Sequence, residues 1–302
     1  MLHVTNGSSV SLDASGLAGK VLVWADVLHE GPVPSGLKLD ELTRIRARFL
    51  DSAWPGEPPA SASLVQRDRT LAESAAHDDV TLWFEHDLYD QLQLIQILDW
   101  FRGRESSRLS LICIDSYLGR LTGPQLANLW PHRKPVTAAE LDLASAAWKA
   151  FRSPDPTDIE RLLRTDTSAL PFLAGALFRH LQQFPSVENG LSRTEYQILE
   201  LIDAGQRDFP SLFPADQLRE ERIFMGDAVF HRYLDGLSYC RNPLLREERG
   251  LYRLTPIGRE VLARSADHIR LNGINRWLGG VHLHGPEALW RWDDGSRKLV
   301  PH

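Results

Sequence analysis

The sequence predicts an α/β fold class: a doubly wound, mainly parallel sheet in the N-terminal third, a helical middle region, and a C-terminal helix-and-hairpin domain ending in an aromatic β tail. Three observations predict it. Apolar runs of strand length alternate with amphipathic stretches up to residue 119, the pattern is wholly helical after that, and alternation rich in tryptophan returns only at the end.

Leu2 to Thr5 reads as a first strand closed by Asn6-Gly7-Ser8-Ser9, and Val21 to Trp24 as a second, ending at Asp26-Val27-Leu28-His29-Glu30-Gly31-Pro32. LKLDELTRIRARFLDSA makes an amphipathic helix, a Pro/Ser-rich connector spans Trp54 to Ser63, and another helix runs toward Ala76. Val80 to Phe84 is the third strand, ending at Glu85-His86-Asp87. LYDQLQLIQILDWF is a helix from Leu88 to Phe101, and Leu109 to Ile114 is the fourth strand, ending at Asp115-Ser116. Strands alternating with helices favour a parallel sheet covered on both faces, and such sheets bind ligands beyond the carboxyl ends of their strands. All four strands here end in polar or acidic residues.

Beyond Gly119 four helical segments follow one another to Phe184, and PSVENG reads as a boundary. LSRTEYQILELIDAG is then a helix with Ser192 as N-cap and Glu195 completing a capping box. Two more helices, a pair of short strands around the turn from Glu247 to Gly250, and the closing helix TPIGREVLAR complete an order that resembles the winged helix. The tail from Arg276 to Val300, with WLGGVHLHG and LWRWDDGSRKLV, reads as strands turning at Asp294-Gly295. The expected domains are a Rossmann-like unit over 1–119, a helical segment over 120–186, a winged-helix-like domain over 187–265 and an aromatic β tail over 266–302.

A chain of 302 residues that is 43% hydrophobic and 25% charged excludes collagen-like, disordered and disulfide-scaffold classes, which need stronger bias. Its two cysteines, Cys113 and Cys240, have no metal-knuckle or redox spacing, and neither a basic leader nor a run of about 18 apolar residues occurs. These features predict a cytoplasmic protein outside the membrane. The net charge is -6, but residues 1 to 100 carry 7 basic and 15 acidic side chains, hence -8, which argues against a nonspecific grip on polyanions. From Leu191 to Ser265 there are 11 arginines and 12 acids, a net of -1, where a DNA reader needs a basic face. The winged-helix-like domain is therefore read as a packing or dimerisation module, not as a direct DNA reader.

The candidate chemistry sits at the strand ends. Asn6, Gly7, Ser8 and Ser9 either cradle an anion with backbone N–H groups or form a plain turn with a serine cap. No GxGxxG or Walker-type motif occurs, so a standard dinucleotide or P-loop site is unsupported. Asp26, His29 and Glu30 precede a Gly-Pro turn; a histidine beside two carboxylates is a general base with its orienting acid, a ligand set, or an ordinary loop network. Glu85, His86 and Asp87 occupy the same place on strand three, where Glu85 and Asp87 are candidate metal ligands, His86 a catalytic candidate, and Asp87 alternatively the cap of the next helix, with Asp90 three residues on. Asp115 is either a substrate-binding acid or part of a turn. His282 and His284 share one strand face, a spacing that suits metal ligation or simple packing.

TNGSS, DVLHEGPVP, LWFEHDLYDQLQLIQILDW, LPFLAGALFRHLQQFPS followed by NGLSRTE, INRWLGGVHLHG and the terminal WRWD together resemble an uncharacterised bacterial family, the domain of unknown function 1835 group. The resemblance covers nearly the whole chain and brings no established activity. The residues themselves point to an enzyme acting on a nucleotide or other phosphate-bearing substrate, by hydrolysis or transfer. A divalent metal would lie among the carboxylates, and His29 or His86 would move the proton. The alternative is a regulator that senses a small ligand in the sheet domain, or an interaction protein without catalysis.

Overall fold

The computed structural model describes residues 1–7, 9–55, 59–104 and 108–302. They form two compact units: Met1–Leu177 with Gly279–Val281, and Phe178–Leu278 with His282–His302.

The first unit contains, in chain order, β1 (Leu2–Thr5), β2 (Lys20–Val23), β3 (Gly31–Pro32), α1 (Leu39–Ala53), α2 (Ala60–Ala72), β4 (Asp79–Phe84), α3 (Leu88–Phe101), β5 (Arg108–Cys113), α4 (Gly123–Leu129), β6 (Lys134–Pro135), α5 (Ala138–Phe151) and α6 (Thr157–Leu162). The division between the units falls within α7 (Leu173–Leu181). One sheet runs in the order β2-β1-β4-β5-β6. Its first four strands pair in parallel, and β6 adds an antiparallel edge through Ser110 opposite Pro135 and Leu111 opposite Lys134.

Every residue of β4 from Val80 to Phe84 is buried, so this strand is covered on both faces. The period-2 alternation sends Trp83 to the face where it packs with Val10, Leu12, Ile112, Leu118 and Leu126. Each such fully buried large side chain contributes about 1.5–3 kcal/mol. Helix α3 is buried along Gln91–Leu98 without a polar stripe, the signature of a helix enclosed all round, and it packs against α5. After β1 the chain makes a single 3-10 turn, Leu12–Ser15, ended by Gly16 at φ 73°. The Gly/Ser-rich segment has little helix propensity, so no long crossover helix forms there. The turn is held close against α4: a Cβ on Gly123 would stand 1.9 Å from the Ala14 carbonyl oxygen.

The second unit comprises α8 (Arg193–Asp203), α9 (Phe209–Gln217), α10 (Asp227–Ser238), β7 (Leu245–Glu248), β8 (Leu251–Leu254), α11 (Pro256–Leu262), α12 (His268–Asn272), most of β9 (Ile274–Gly279) and β10 (Val281–Gly285), β11 (Trp290–Asp293) and β12 (Lys298–Pro301). Ser192 caps α8 and the Glu195 carboxylate accepts from the Ser192 N–H at 2.7 Å, the box that the sequence predicts. β7 and β8 pair antiparallel, and the Tyr252 N–H donates to the Arg207 carbonyl at 2.7 Å. The aromatic end is a hairpin: β11 and β12 pair antiparallel, and buried Trp292 exchanges backbone bonds with Pro185 and Val187 at 2.8 and 2.9 Å. No helix among the described residues is long and apolar enough to cross a membrane.

Candidate active site

Residues following β1, β2, β4 and β5 meet at one edge of the sheet in the first unit. Asn6, next after β1, donates through Nδ2 to the Asp90 carboxylate at 2.7 Å, and its main-chain carbonyl accepts from the Tyr89 hydroxyl at 3.3 Å. Tyr89 in turn meets His29, from the loop after β2, edge-on at 6.0 Å between ring centroids. Glu85, next after β4, accepts on Oε1 from the Leu118 N–H beyond β5 at 2.7 Å, and its own N–H donates to Asp90 Oδ1 at 2.7 Å. Asp87 caps α3 by accepting from the Asp90 N–H at 3.2 Å.

Glu85, Asp87 and Asp90 each bring a carboxylate oxygen within 4.8 Å of the others. They are 5%, 3% and 1% exposed, so the three carboxyl groups share a nearly dry volume. No arginine or lysine forms an ion pair with any of them among the described residues, in contrast to buried Asp26 nearby. Burial raises all three carboxyl groups above their ordinary values. For Asp90 the nearby Asp87 and Glu85 charges add to that effect, while a backbone N–H bond and Asn6 oppose it. Asn6 Oδ1 is buried without a hydrogen-bond partner, which leaves a neutral oxygen donor on a side chain that already touches the trio. Hard oxygen donors of this kind suit magnesium, calcium or manganese.

Asp26 has a different setting. It is buried in a fork with Arg46, at 2.7 Å from Nη2 and 3.1 Å from Nε, with Arg67 3.8 Å away. The same Arg46 guanidinium donates to the carbonyls of Val27 and Glu30 at 2.8 and 2.7 Å, so it fixes the loop that carries His29 and Glu30. His29 and Glu30 are both buried. The His86 ring lies 5.1 Å from Tyr117 and 6.0 Å from Phe172, in an aromatic corner beside the acids.

The strand-one turn takes a smaller part than the sequence implies. Gly7 is half-buried, Ser9 is exposed, and Ser8 lies outside the described residues. The single 3-10 turn beyond them offers no helix N-terminus to an anion. Asp115 is exposed on the bend after β5, away from the buried trio's hydrogen bonds. His282 stacks on Trp277 at 4.4 Å and bonds Asn275 at 2.8 Å, the packing alternative for that strand.

Sequence reasoning treats Asp90 only as an acid in the first turn of a helix, and it misses Tyr89, Arg46 and Arg67. A usable signal for Asp90 is the composition of α3: a helix whose non-apolar positions are mostly glutamines has no solvent face, and an acid in its first turn is therefore buried. No protein-family model matches the chain, and no curated protein matches it.

Proposed function

We propose that this chain is an enzyme whose site lies at the carboxyl edge of a doubly wound, Rossmann-like sheet, acting by hydrolysis or transfer on a nucleotide or other phosphate-bearing substrate. The observation that carries the reading is the trio Glu85, Asp87 and Asp90, buried within 4.8 Å of one another with no arginine or lysine in an ion pair with them among the described residues. Like charges in a low-dielectric volume are costly unless a proton or a cation sits among them, and a sheet has no structural need for such a group. Glu85, Asp87 and Asp90, with Asn6 Oδ1 beside them, would hold a divalent cation. Bound there, the cation would supply charge stabilisation for a phosphoryl oxygen.

The chain's own groups divide the remaining work. The backbone N–H of Leu118 and the Asn6 amide orient Glu85 and Asp90. His86, between Glu85 and Asp87 in the chain, and His29, edge-on to Tyr89, serve as proton carriers, and Tyr89 aligns His29. Arg46 pairs with Asp26 in the anchor that holds the His29 loop, so Asp26 acts as a positioning residue. The resemblance to the domain of unknown function 1835 family adds no catalytic role.

The test is metal content by elemental mass spectrometry together with turnover of a panel of phosphate esters and nucleotides. Manganese or magnesium binding that is lost in Asp90→Asn and Glu85→Gln, and turnover lost in His29→Ala with the fold intact, are the expected results. Unchanged cation binding in both carboxylate variants would remove the trio from the mechanism. A second reading, a ligand-sensing regulator with a winged-helix-like output, draws on the helix-helix-helix-hairpin-helix order of the second unit. The exposed face of α10 carries His231, Arg232 and Asp235, a mixed surface suited to protein contact more than to phosphates.

A further inference from the structure

Beside the acidic trio, a separate cavity of about 300 Å³ opens in the first unit between β5, β6, α3 and the segment 168–172. That volume is at the lower end of the range of small-molecule pockets, roughly 300–1,000 Å³. More of its wall is apolar than polar, with Leu94 from α3, Leu111 from β5, and Leu170 and Phe172 from the segment before α7, while His132 and Ser168 add polar groups to the lining. Cys113 and Gln91 form the inner end, where the Gln91 amide donates to the Glu85 carbonyl at 2.6 Å and approaches the Cys113 sulfur at 3.5 Å. Gln91 thus lines the cavity and also bonds the main chain of Glu85, a member of the carboxylate site.

The rim has one feature that sets the chemistry of an occupant. Lys134 stands directly opposite Leu111 in the β5/β6 pair, and paired residues project to the same side of a sheet, so its ammonium borders the apolar wall. Lys134 forms no ion pair among the described residues. Glu140, the acid in the same lining, is committed elsewhere: its Oε2 accepts from the Thr137 N–H at 2.6 Å and hydroxyl at 2.8 Å. An apolar volume with an unpaired cation at its mouth complements a molecule with a hydrocarbon body and one negative charge.

We propose that this cavity binds a medium-chain carboxylate, with its chain against Leu94, Leu111 and Phe172 and its head group at Lys134. The assignment needs no catalytic step, and its test reads binding alone, so it stands or fails independently of the carboxylate site.

Isothermal titration with butanoate, hexanoate and octanoate, and with octanamide as the uncharged control, tests it on the full chain. Each added methylene is expected to tighten binding about fourfold until the cavity is filled. Octanamide is expected to bind at least about tenfold more weakly than octanoate, and Lys134→Glu to remove that preference while leaving octanamide binding unchanged. Cys113→Phe, which fills the inner end, is expected to abolish binding of both. If that variant does not fold, perturbation of the Leu111 and Lys134 backbone amide resonances on octanoate titration of the full chain reads the same occupancy. No binding of octanoate, equal affinity for octanoate in Lys134→Glu, or Leu111 and Lys134 amide resonances unmoved at saturating octanoate would each overturn the proposal.

Discussion

Arg46→Met tests how the loop that carries His29 is held. Arg46 is 0% exposed, and its guanidinium N–H groups reach the Asp26 carboxylate and the carbonyls of Val27 and Glu30. Methionine fills similar space and removes every one of these donors. Asp26 would then remain buried with Arg67 at 3.8 Å as its cationic neighbour, and two loop carbonyls would lose their partner. Removing one side of a buried pair costs about 3–5 kcal/mol, because the other charge stays desolvated. Urea unfolding at pH 7 followed by tryptophan fluorescence measures the loss. Asp26→Asn combined with Arg46→Met removes both charges, so it should cost less than the sum of the single variants by at least about 1 kcal/mol. A loss below about 1 kcal/mol for Arg46→Met, or strict additivity in the double variant, would refute the idea that Asp26 and Arg46 act as one structural unit.

The second unit makes a pH prediction. Burial, reinforced by the nearby Glu220 charge, raises the Asp216 carboxyl to about 7. Its folded value lies above that of the unfolded chain, so its contribution is most favourable below about pH 4 and is lost as pH rises through 7, by up to about 4 kcal/mol. Asp216→Asn should therefore be more stable than the parent at pH 8 and close to it at pH 4, as read by urea midpoints at the two pH values. A gain of equal size at both would contradict that sign. Gly31→Ala should destabilise the first unit by at least about 1–3 kcal/mol: Gly31 sits at φ 76°, and an added Cβ would come within 2.5 Å of the Phe49 ring. An unchanged thermal midpoint would argue against that close approach.

Much of the first unit is legible in the sequence because its strands announce themselves twice, by apolar runs and by the polar residues that end them. β1, β2, β4 and β5 fall within one residue or two of the expected positions. β6 is not legible: two exposed residues, one of them proline, carry no periodicity, and the strand exists only because the β5 edge is there to pair with. Glu85 and Asp87 stand in the candidate site where the strand-end argument puts them, and Asp87 also fills the capping role weighed beside it. Asp26 shows the limit of that argument. Proximity in sequence to His29 suggests shared chemistry, whereas its partners, Arg46 and Arg67, come from helices 20 and 41 residues on and leave no local trace.

The order of the strands explains why the acids gather where they do. β1 lies beside β4 in the middle of the sheet, while the chain leaves β1 toward β2 on one side and leaves β4 toward β5 on the other. At the seam between β1 and β4 the chain's path reverses direction, and neither of these two connections passes over the space between Asn6 and Glu85. The seam is a topological switch point, where open α/β sheets place their ligands. Its location is a property of wiring and not of side chains. Variation in the loops after these two strands can therefore alter what is recognised without disturbing the sheet beneath.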